Sequence, residues 1–489
     1  MSLLLSRFSS NIWCACYGVP RAFRVLLYST QTLISSSSKD TLYERILTAG
    51  EHRGSIVPVL DQWVEEGRTF NEYDLKIKIK LLRNYKRFSH ALQLSEWLRN
   101  KRYLHLSSPG DVAVQLDLVS KVHGLEEAEK YFSNIPDGLR TYHVYSALLN
   151  CYAYVKSVQK AETIMQKMRE LGFLKISLPY NVMMDLYAKM GKREKLDALF
   201  QEMEERGMVH DKATSYIRLN SFVTASDIEG MEKLLMKIES DPLFTLHWNT
   251  YVIAATGYLK AGRVEKTLEM LKKSEQLCVC DGKRRRFAYG ILLTIYASLA
   301  RKDEVYRLWY LLKKMGKVNN KGYFRMISSL VKLDDIDGAE TIFEEWESQC
   351  SSFDFQIPNL LINVYSKKGL LEKAEAFVKR AVERGGKEPP AGTWDHLATG
   401  YYKDNQMAKA VENMKKAISA NPCGWKLNRV TLKACLEFLE KNGHVEAIEE
   451  FTRLLGEHGH FSYLPGENDI KENSARLKYL NKFSKLLSR

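Results

Sequence analysis

The sequence predicts an all-α chain, a right-handed α-solenoid superhelix of tandem helix-turn-helix units of about 35 residues. Three observations carry that prediction. Tyrosines recur at Tyr152, Tyr187, Tyr258, Tyr296, Tyr365 and Tyr401, each one or two steps of about 35 apart, with Phe222 filling a gap. A fixed period of this length marks an array of copies rather than an enzyme core. Apolar residues fall at helical spacing, as at Leu196, Leu199, Phe200 and Met203. Glycines stand after the apolar stripes, as at Gly191 and Gly207, where a left-handed residue ends a helix at low cost.

In chain order, residues 1–39 carry Arg7, Arg21, Arg24 and Lys39, no acid, and the run Ser35 to Ser38. That composition is expected of an organelle transit peptide, mitochondrial in preference to chloroplast, with cleavage between Tyr28 and Asp40. Residues 40–71 read as a helical cap. About eleven units fill 72–463, the best formed at 142–211, 248–282 and 320–390. The clearest tandem pair starts at 142 and 177: Tyr145, Tyr152, Ala153, Met168 and Gly172 return as Tyr180, Tyr187, Ala188, Met203 and Gly207. Gly262, Gly369 and Gly443 punctuate the turn within later units, with Asp334 and Asn405 as substitutes, and Gly316, Gly385 and Gly459 close second helices. An alanine, often followed by glutamate, opens the second helix at Ala128-Glu129, Ala161-Glu162, Ala339-Glu340 and Ala374-Glu375, and at Ala91 and Ala410. Its small side chain lets two helix axes approach closely. One helix pair cannot bury both faces, so the units must stack. Residues 464–489 are expected to form a basic closing helix.

Net charge is +14 over 489 residues, which favours a polyanionic partner. No run of 18 apolar residues exists, and the longest candidate, Phe287–Ala300, falls on a first helix, so it reads as a buried helix and not a membrane span. The eight cysteines include no C-x-x-C pair and read as reduced, mostly buried thiols. His458-x-His460 puts two histidines on different sides of a helix among glycines, so no metal site is expected. Phosphate-loop, dinucleotide, nucleophile-elbow and zinc-deaminase signatures are absent. The acids of second helices sit beside lysine and arginine as solvated faces. These patterns point away from an enzyme, and no cofactor is expected.

Unit 177–211, with Tyr180-Asn181, Tyr187-Ala188-Lys189, Gly191, Glu202-Met203 and Arg206-Gly207 through Asp211, closely resembles the pentatricopeptide repeat of plant organelle RNA-binding proteins. The resemblance covers about 72–463 and fits the plain P class of 35-residue units. It implies one nucleotide of single-stranded organelle RNA per unit, chosen by the fifth residue of the first helix and the last residue of the unit. Asn181 with Asp211 resembles the uracil-reading combination. Ser146 stands with Ile176, Gly290 with Asn319, Phe324 with Asp354, and Asn359 with Pro389 or Pro390. The other fifth positions are Tyr216, Val252, Asp395 and Lys433. Tyr216 and Phe324 either stack on bases or pack between helices. Lys283, Arg284, Arg285 and Arg286 at a unit junction either clamp phosphates or form a solvated linker. The cluster Lys76, Lys78, Lys80, Arg83, Lys86 and Arg87 reads as the polar face of a helix. The leading expectation is RNA binding in the mitochondrial matrix, with no DNA partner and no chemistry on the RNA. The alternative is a scaffold subunit of the mitochondrial ribosome or another protein complex, since helical-repeat grooves also bind proteins.

Overall fold

The computed structural model describes residues 41–457 apart from 52–53, 69–70, 101–107, 209, 242–245, 279–284, 351, 387, 421–427 and 444. Among these residues there are twenty-four α-helices and no strand. The chain divides between Leu246 and His247 into two units.

In the N-terminal unit the helix hairpins are α1 Leu42–Glu51 with α2 Val57–Glu65, α3 Glu72–Asn84 with α4 Phe88–Asn100, α5 Pro109–Val122 with α6 Leu125–Ser133, α7 Tyr142–Tyr154 with α8 Val158–Glu170, α9 Ser177–Lys189 with α10 Arg193–Glu205, and α11 Lys212–Thr224 with α12 Ile228–Ser240. In the C-terminal unit they are α13 Trp248–Lys260 with α14 Val264–Cys278, α15 Arg285–Ser298 with α16 Lys302–Lys314, α17 Asn320–Lys332 with α18 Ile336–Gln349, α19 Gln356–Lys367 with α20 Leu371–Gly385, α21 Ala391–Lys403 with α22 Met407–Ser419, and α23 Arg429–Lys441 with α24 Val445–Glu457. The first helices are the buried layer. In α13 and α15 nearly every residue is enclosed, and the apolar run from Phe287 lies on α15. Residues 458–489, including Gly459, His458 and His460, lie outside the described residues, as do residues 1–40.

In the α3–α4 hairpin and in every hairpin from α7 onward, the tight turn follows from one left-handed residue. Gly191, Gly262, Gly369 and Gly443 take φ of 69°, 71°, 74° and 68°, and Asp334 and Asn405 take 57° and 61°. Lys86, Lys156, Ser226 and Ala300 adopt the same conformation, each at a cost of about 1 kcal/mol. The turn is a Schellman closure, and the acceptor of its long bond is the periodic aromatic: Ser157 N–H donates to the Tyr152 carbonyl at 2.9 Å, Lys192 N–H to Tyr187 at 2.9 Å, and Gln406 N–H to Tyr401 at 2.9 Å. At the end of α20, Gly385 remains helical and Gly386 takes the left-handed place at φ 59°, one residue later than the sequence suggested.

The alanines that open second helices, Ala91, Ala128, Ala161, Ala339, Ala374 and Ala410, are all 0% exposed. Their small side chains are fully enclosed where the helices touch. The glutamate after the alanine has its own role. Glu162 accepts from the Tyr187 hydroxyl at 2.9 Å and Lys195 Nζ at 2.7 Å, both in the following repeat. Glu340 does the same for Tyr365 and Lys373, each at 2.6 Å. Glu375 accepts from Tyr401, and Glu129 from Lys160 at 2.7 Å and from Tyr152. The periodic tyrosine therefore closes the turn with its carbonyl, fills the interface with its ring and anchors the preceding repeat with its hydroxyl. Burial raises the Tyr187 hydroxyl above its ordinary range, and the bond to Glu162 adds to that. Lys195 first, helped by Tyr187, holds the Glu162 carboxyl below its own.

Candidate nucleic-acid interface

Counting from unit starts at 142, 177, 212, 248, 286, 320, 355, 391 and 429, positions two, five, nine and thirteen of a first helix fall on one face, because residues three and four apart are neighbours on a helix surface. The residue that ends a unit is the one that starts the next first helix. Asp211 caps α11, accepting the Thr214 N–H at 2.8 Å. Asn319 caps α17, accepting the Gly322 N–H at 3.1 Å. Asn428 caps α23, accepting the N–H groups of Val430 at 3.1 Å and Thr431 at 3.4 Å. Asp354 accepts the Gln356 N–H at 3.0 Å at the entry to α19. The polar character of the last position thus has a structural cause, worth roughly 1 kcal/mol per helix.

Asn181 and Asp211 meet. Asn181 Nδ2 donates to both Asp211 oxygens, at 3.1 and 3.2 Å. The Thr214 hydroxyl is 2.8 Å from Asn181 Oδ1 and 3.0 Å from Asp211 Oδ1, and its single proton serves one of them at a time. Ser177 Oγ donates to Asp211 Oδ2 at 2.6 Å. Asn181 is 0% exposed, whereas Asp211 is exposed. The outward polar edge of the pair is therefore the carboxylate. Burial pushes the Asp211 carboxyl up, but hydrogen bonds from Ser177, Thr214 and Asn181 outweigh it and hold it below the usual range. Asn359 repeats part of this arrangement, with Thr393 Oγ1 donating to its Oδ1 at 2.6 Å. Pro390 caps α21 with no side-chain bond.

The other fifth positions range from closed to open, with Lys433 exposed. Ser146 is buried and its hydroxyl has no hydrogen-bond partner, while Ile176 is exposed. Tyr216 is 5% exposed, so of its two alternatives the ring packs between helices; enclosed by neighbouring side chains, it offers no face to a base. Phe324 is half-buried. Asp395 is buried and accepts the Asn428 N–H at 3.3 Å, and burial pushes its carboxyl up to about 6.

At the basic junction, Lys283 and Arg284 lie outside the described residues. Arg285 turns onto Tyr289, with Nε and Nη2 at 3.3 and 3.2 Å from the hydroxyl. Arg286 Nη1 donates to the Lys317 carbonyl at 3.2 Å. On α3, Lys76 pairs with Asp111 at 2.9 Å and Arg83 with Asp117 at 2.7 Å, so that cluster joins neighbouring repeats. Among the described residues no group of three His, Cys, Asp or Glu side chains is placed to hold a metal, and no helix is long and apolar enough to cross a membrane.

Two rows escaped the sequence reading. The ninth position carries a small polar residue in unit after unit: Asn150, Asp185, Asn220, Thr256, Thr294, Ser328, Asn363 and Thr399. The thirteenth is an exposed lysine at Lys189 in the N-terminal unit and at Lys260, Lys332, Lys367, Lys403 and Lys441 in the C-terminal unit. These cations end helices, where the dipole favours them. Partial burial alone lowers the amine pKa of Lys260 and Lys332, with no carboxylate compensating. The signal was present, since each of these lysines precedes a turn residue by two places, but only the face geometry gives it meaning.

The PPR repeat family matches residues 143–173, 179–208, 325–350 and 358–386. A mitochondrial pentatricopeptide repeat-containing protein of Arabidopsis thaliana is 47% identical over 424 residues, covering 87% of this chain and 86% of that protein. Large ribosomal subunit protein mL101 of Arabidopsis thaliana is 35% identical over 421 residues, covering 85% of this chain and 84% of that protein. A looser likeness, with a TM-score of 0.37 and 15% identity, covers 96% of this chain and 76% of the pentatricopeptide repeat protein PPR10 from maize. With its hairpins, its left-handed turns and near-full-length relatives at this identity, the chain belongs to the pentatricopeptide repeat family.

Proposed function

We propose that this protein binds single-stranded RNA in the mitochondrion along the faces of its first helices, holding it extended in support of RNA processing, stability or translation. The observation that carries the reading is the lysine row at position thirteen beside the small polar row at position nine. The two supply cationic contacts for phosphates and hydrogen-bonding groups for bases at one-repeat intervals. Asp211 is the best-formed base-reading residue, its carboxylate placed to accept the N3–H of a uracil, with Asn181 holding it. Ser146, Asn359, Phe324 and Asp354 lie at corresponding places. Arg285 and Arg286 belong to a basic junction that adds sequence-independent affinity. No catalytic step on the RNA is part of this proposal, and the array is of the plain class. Mitochondrial relatives support the compartment.

The test is selection of bound species from a random single-stranded RNA pool, with a salt titration. Enrichment of a uridine that Asp211→Ala abolishes supports a sequence reader. Absence of RNA binding at any salt sinks the proposal.

A second reading has a specific observation in its favour. Tyr216 and Val252 at fifth positions are buried and Gly290 has no side chain, so much of the array contacts a partner without choosing bases. Together with the mL101 relative, this supports a scaffold role on the mitochondrial ribosome. Co-sedimentation with ribosomal particles that survives ribonuclease favours that reading over the first.

A further inference from the structure

Gly290 occupies the fifth position of its unit, so α15 has no side chain there. The space is filled from the next repeat. A methyl group built on Gly290 would stand 2.5 Å from Arg325 Nη1 and 3.2 Å from Arg325 Cδ. The Arg325 guanidinium lies over the Phe287 ring, 5.0 Å from its centroid, and Nη1 donates to the Phe287 carbonyl at 3.3 Å. Phe287 is position two of the same helix, so the guanidinium rests on the face that carries positions two and five.

Arg325 differs from the arginines that acids hold in place. Arg169 pairs with Glu202 at 2.9 Å, Arg83 with Asp117 at 2.7 Å and Arg307 with Glu275 at 2.7 Å, and Arg380 and Arg218 pair with Glu347 and Asp197. Among the described residues no carboxylate pairs with Arg325. Burial alone lowers its pKa, with no acid offsetting it. Lys321, one turn earlier on α17, is exposed and adds charge of the same sign. A half-buried cation without a counter-ion calls for an anion, and the planar fork of a guanidinium matches two oxygens of a phosphate. A guanine edge also offers two acceptors, but it is neutral and leaves the charge uncompensated.

We propose that Arg325, seated in the side-chain space that Gly290 leaves empty and stacked on Phe287, binds a backbone phosphate of single-stranded RNA, an assignment that rests on the RNA-binding reading above. In this repeat the place of base choice is given over to backbone attachment. Gly290 is required because any side chain there displaces the guanidinium.

The experiment is binding of the full chain and its variants to a random single-stranded RNA pool between about 50 and 200 mM salt. Arg325→Ala is expected to weaken binding about ten-fold across all sequences and to make the salt slope shallower by about 0.7. Arg325→Lys keeps the charge over Phe287, so it retains the slope but recovers only part of the affinity, which separates a lost contact from a lost fold. Gly290→Ala leaves the charge in the chain and still weakens binding. If the unaltered chain binds and Arg325→Ala matches it in affinity and slope, the assignment is overturned and RNA binding stands. Loss confined to RNAs with a guanosine at one place, with an unchanged slope, overturns the phosphate in favour of a base edge. An unaltered chain that binds no RNA at any salt overturns both readings.

Discussion

The N-terminal and C-terminal units are built from the same hairpin, yet their exposed first-helix faces differ. In the N-terminal unit the thirteenth positions from α7 onward are Tyr154, Lys189 and Thr224, and Lys189 is paired with Asp185 at 2.5 Å. In the C-terminal unit they are Lys260, Ser298, Lys332, Lys367, Lys403 and Lys441. The pair in which an amide at the fifth position donates to a carboxylate at the last, Asn181 with Asp211, is N-terminal. The glycine filled by a guanidinium, Gly290 with Arg325, is C-terminal. The difference teaches that the scaffold is indifferent to what its first helices present. Buried alanines and tyrosines set the stacking, so the face can specialise in selection in one unit and in attachment in the other.

The largest expected effect probes whether the units are independent. Leu186→Ala and Leu361→Ala each remove a side chain with no exposure and should each cost about 2–5 kcal/mol. In a quasi-one-dimensional array the damage stays near its site. Hydrogen exchange should therefore rise mainly in the N-terminal unit for the first and mainly in the C-terminal unit for the second. Equal loosening of both units by either variant would dissolve the distinction. Next comes attachment. Replacing Lys260, Lys332, Lys367 and Lys403 by Gln should flatten the salt slope of RNA binding by about 3 and weaken it by roughly two orders of magnitude at low salt, with the melting temperature nearly unchanged. If substituting Tyr154, Lys189 and Thr224 did as much, the comparison would fail.

Selection predicts a smaller effect. Asp211→Ala removes a helix cap and leaves the enclosed Asn181 amide unsatisfied, so it should cost about 1–3 kcal/mol in a denaturant melt. Asn319→Ala loses only a cap, about 1 kcal/mol. Equal costs would mean that the Asn181 pairing contributes nothing. Smallest is Tyr365→Phe, which strips one hydroxyl from Glu340 and should cost about 1 kcal/mol. The acid dependence follows from the same staples. Glu162 and Glu340 are held below the ordinary carboxyl range, so their contribution is complete above the unfolded glutamate value near 4. It is lost as pH falls through their lower folded values. Melting temperature should drop over that interval, and less steeply in a Glu162→Gln, Glu340→Gln double variant.

The fold was legible because the period, the glycine turns and the alanine contacts are constraints that a backbone imposes on single positions. Non-glycine turns such as Lys156 and Ala300 were not, since neither residue favours a left-handed conformation and only the surrounding closure enforces it. The glutamate after each alanine looked like solvated charge, because its partners, a tyrosine and a lysine, sit some 25 and 33 residues further on. At the candidate site, identity at positions five and last was readable but enclosure was not. Nothing in the string distinguishes the buried Tyr216 from an open one. The Arg325 substitution for a missing side chain required seeing two helices side by side.

The coincidence of the last residue of one unit with the cap of the next helix limits how such an array can be retargeted. Aspartate, asparagine, serine and threonine all begin a helix well, and an aliphatic residue there costs about 1 kcal/mol. Exchanges within that short set are nearly silent for helix initiation. An engineer who redesigns specificity at Asp211 is therefore working with a vocabulary fixed by helix initiation, and every word outside it must be compensated elsewhere in the stack.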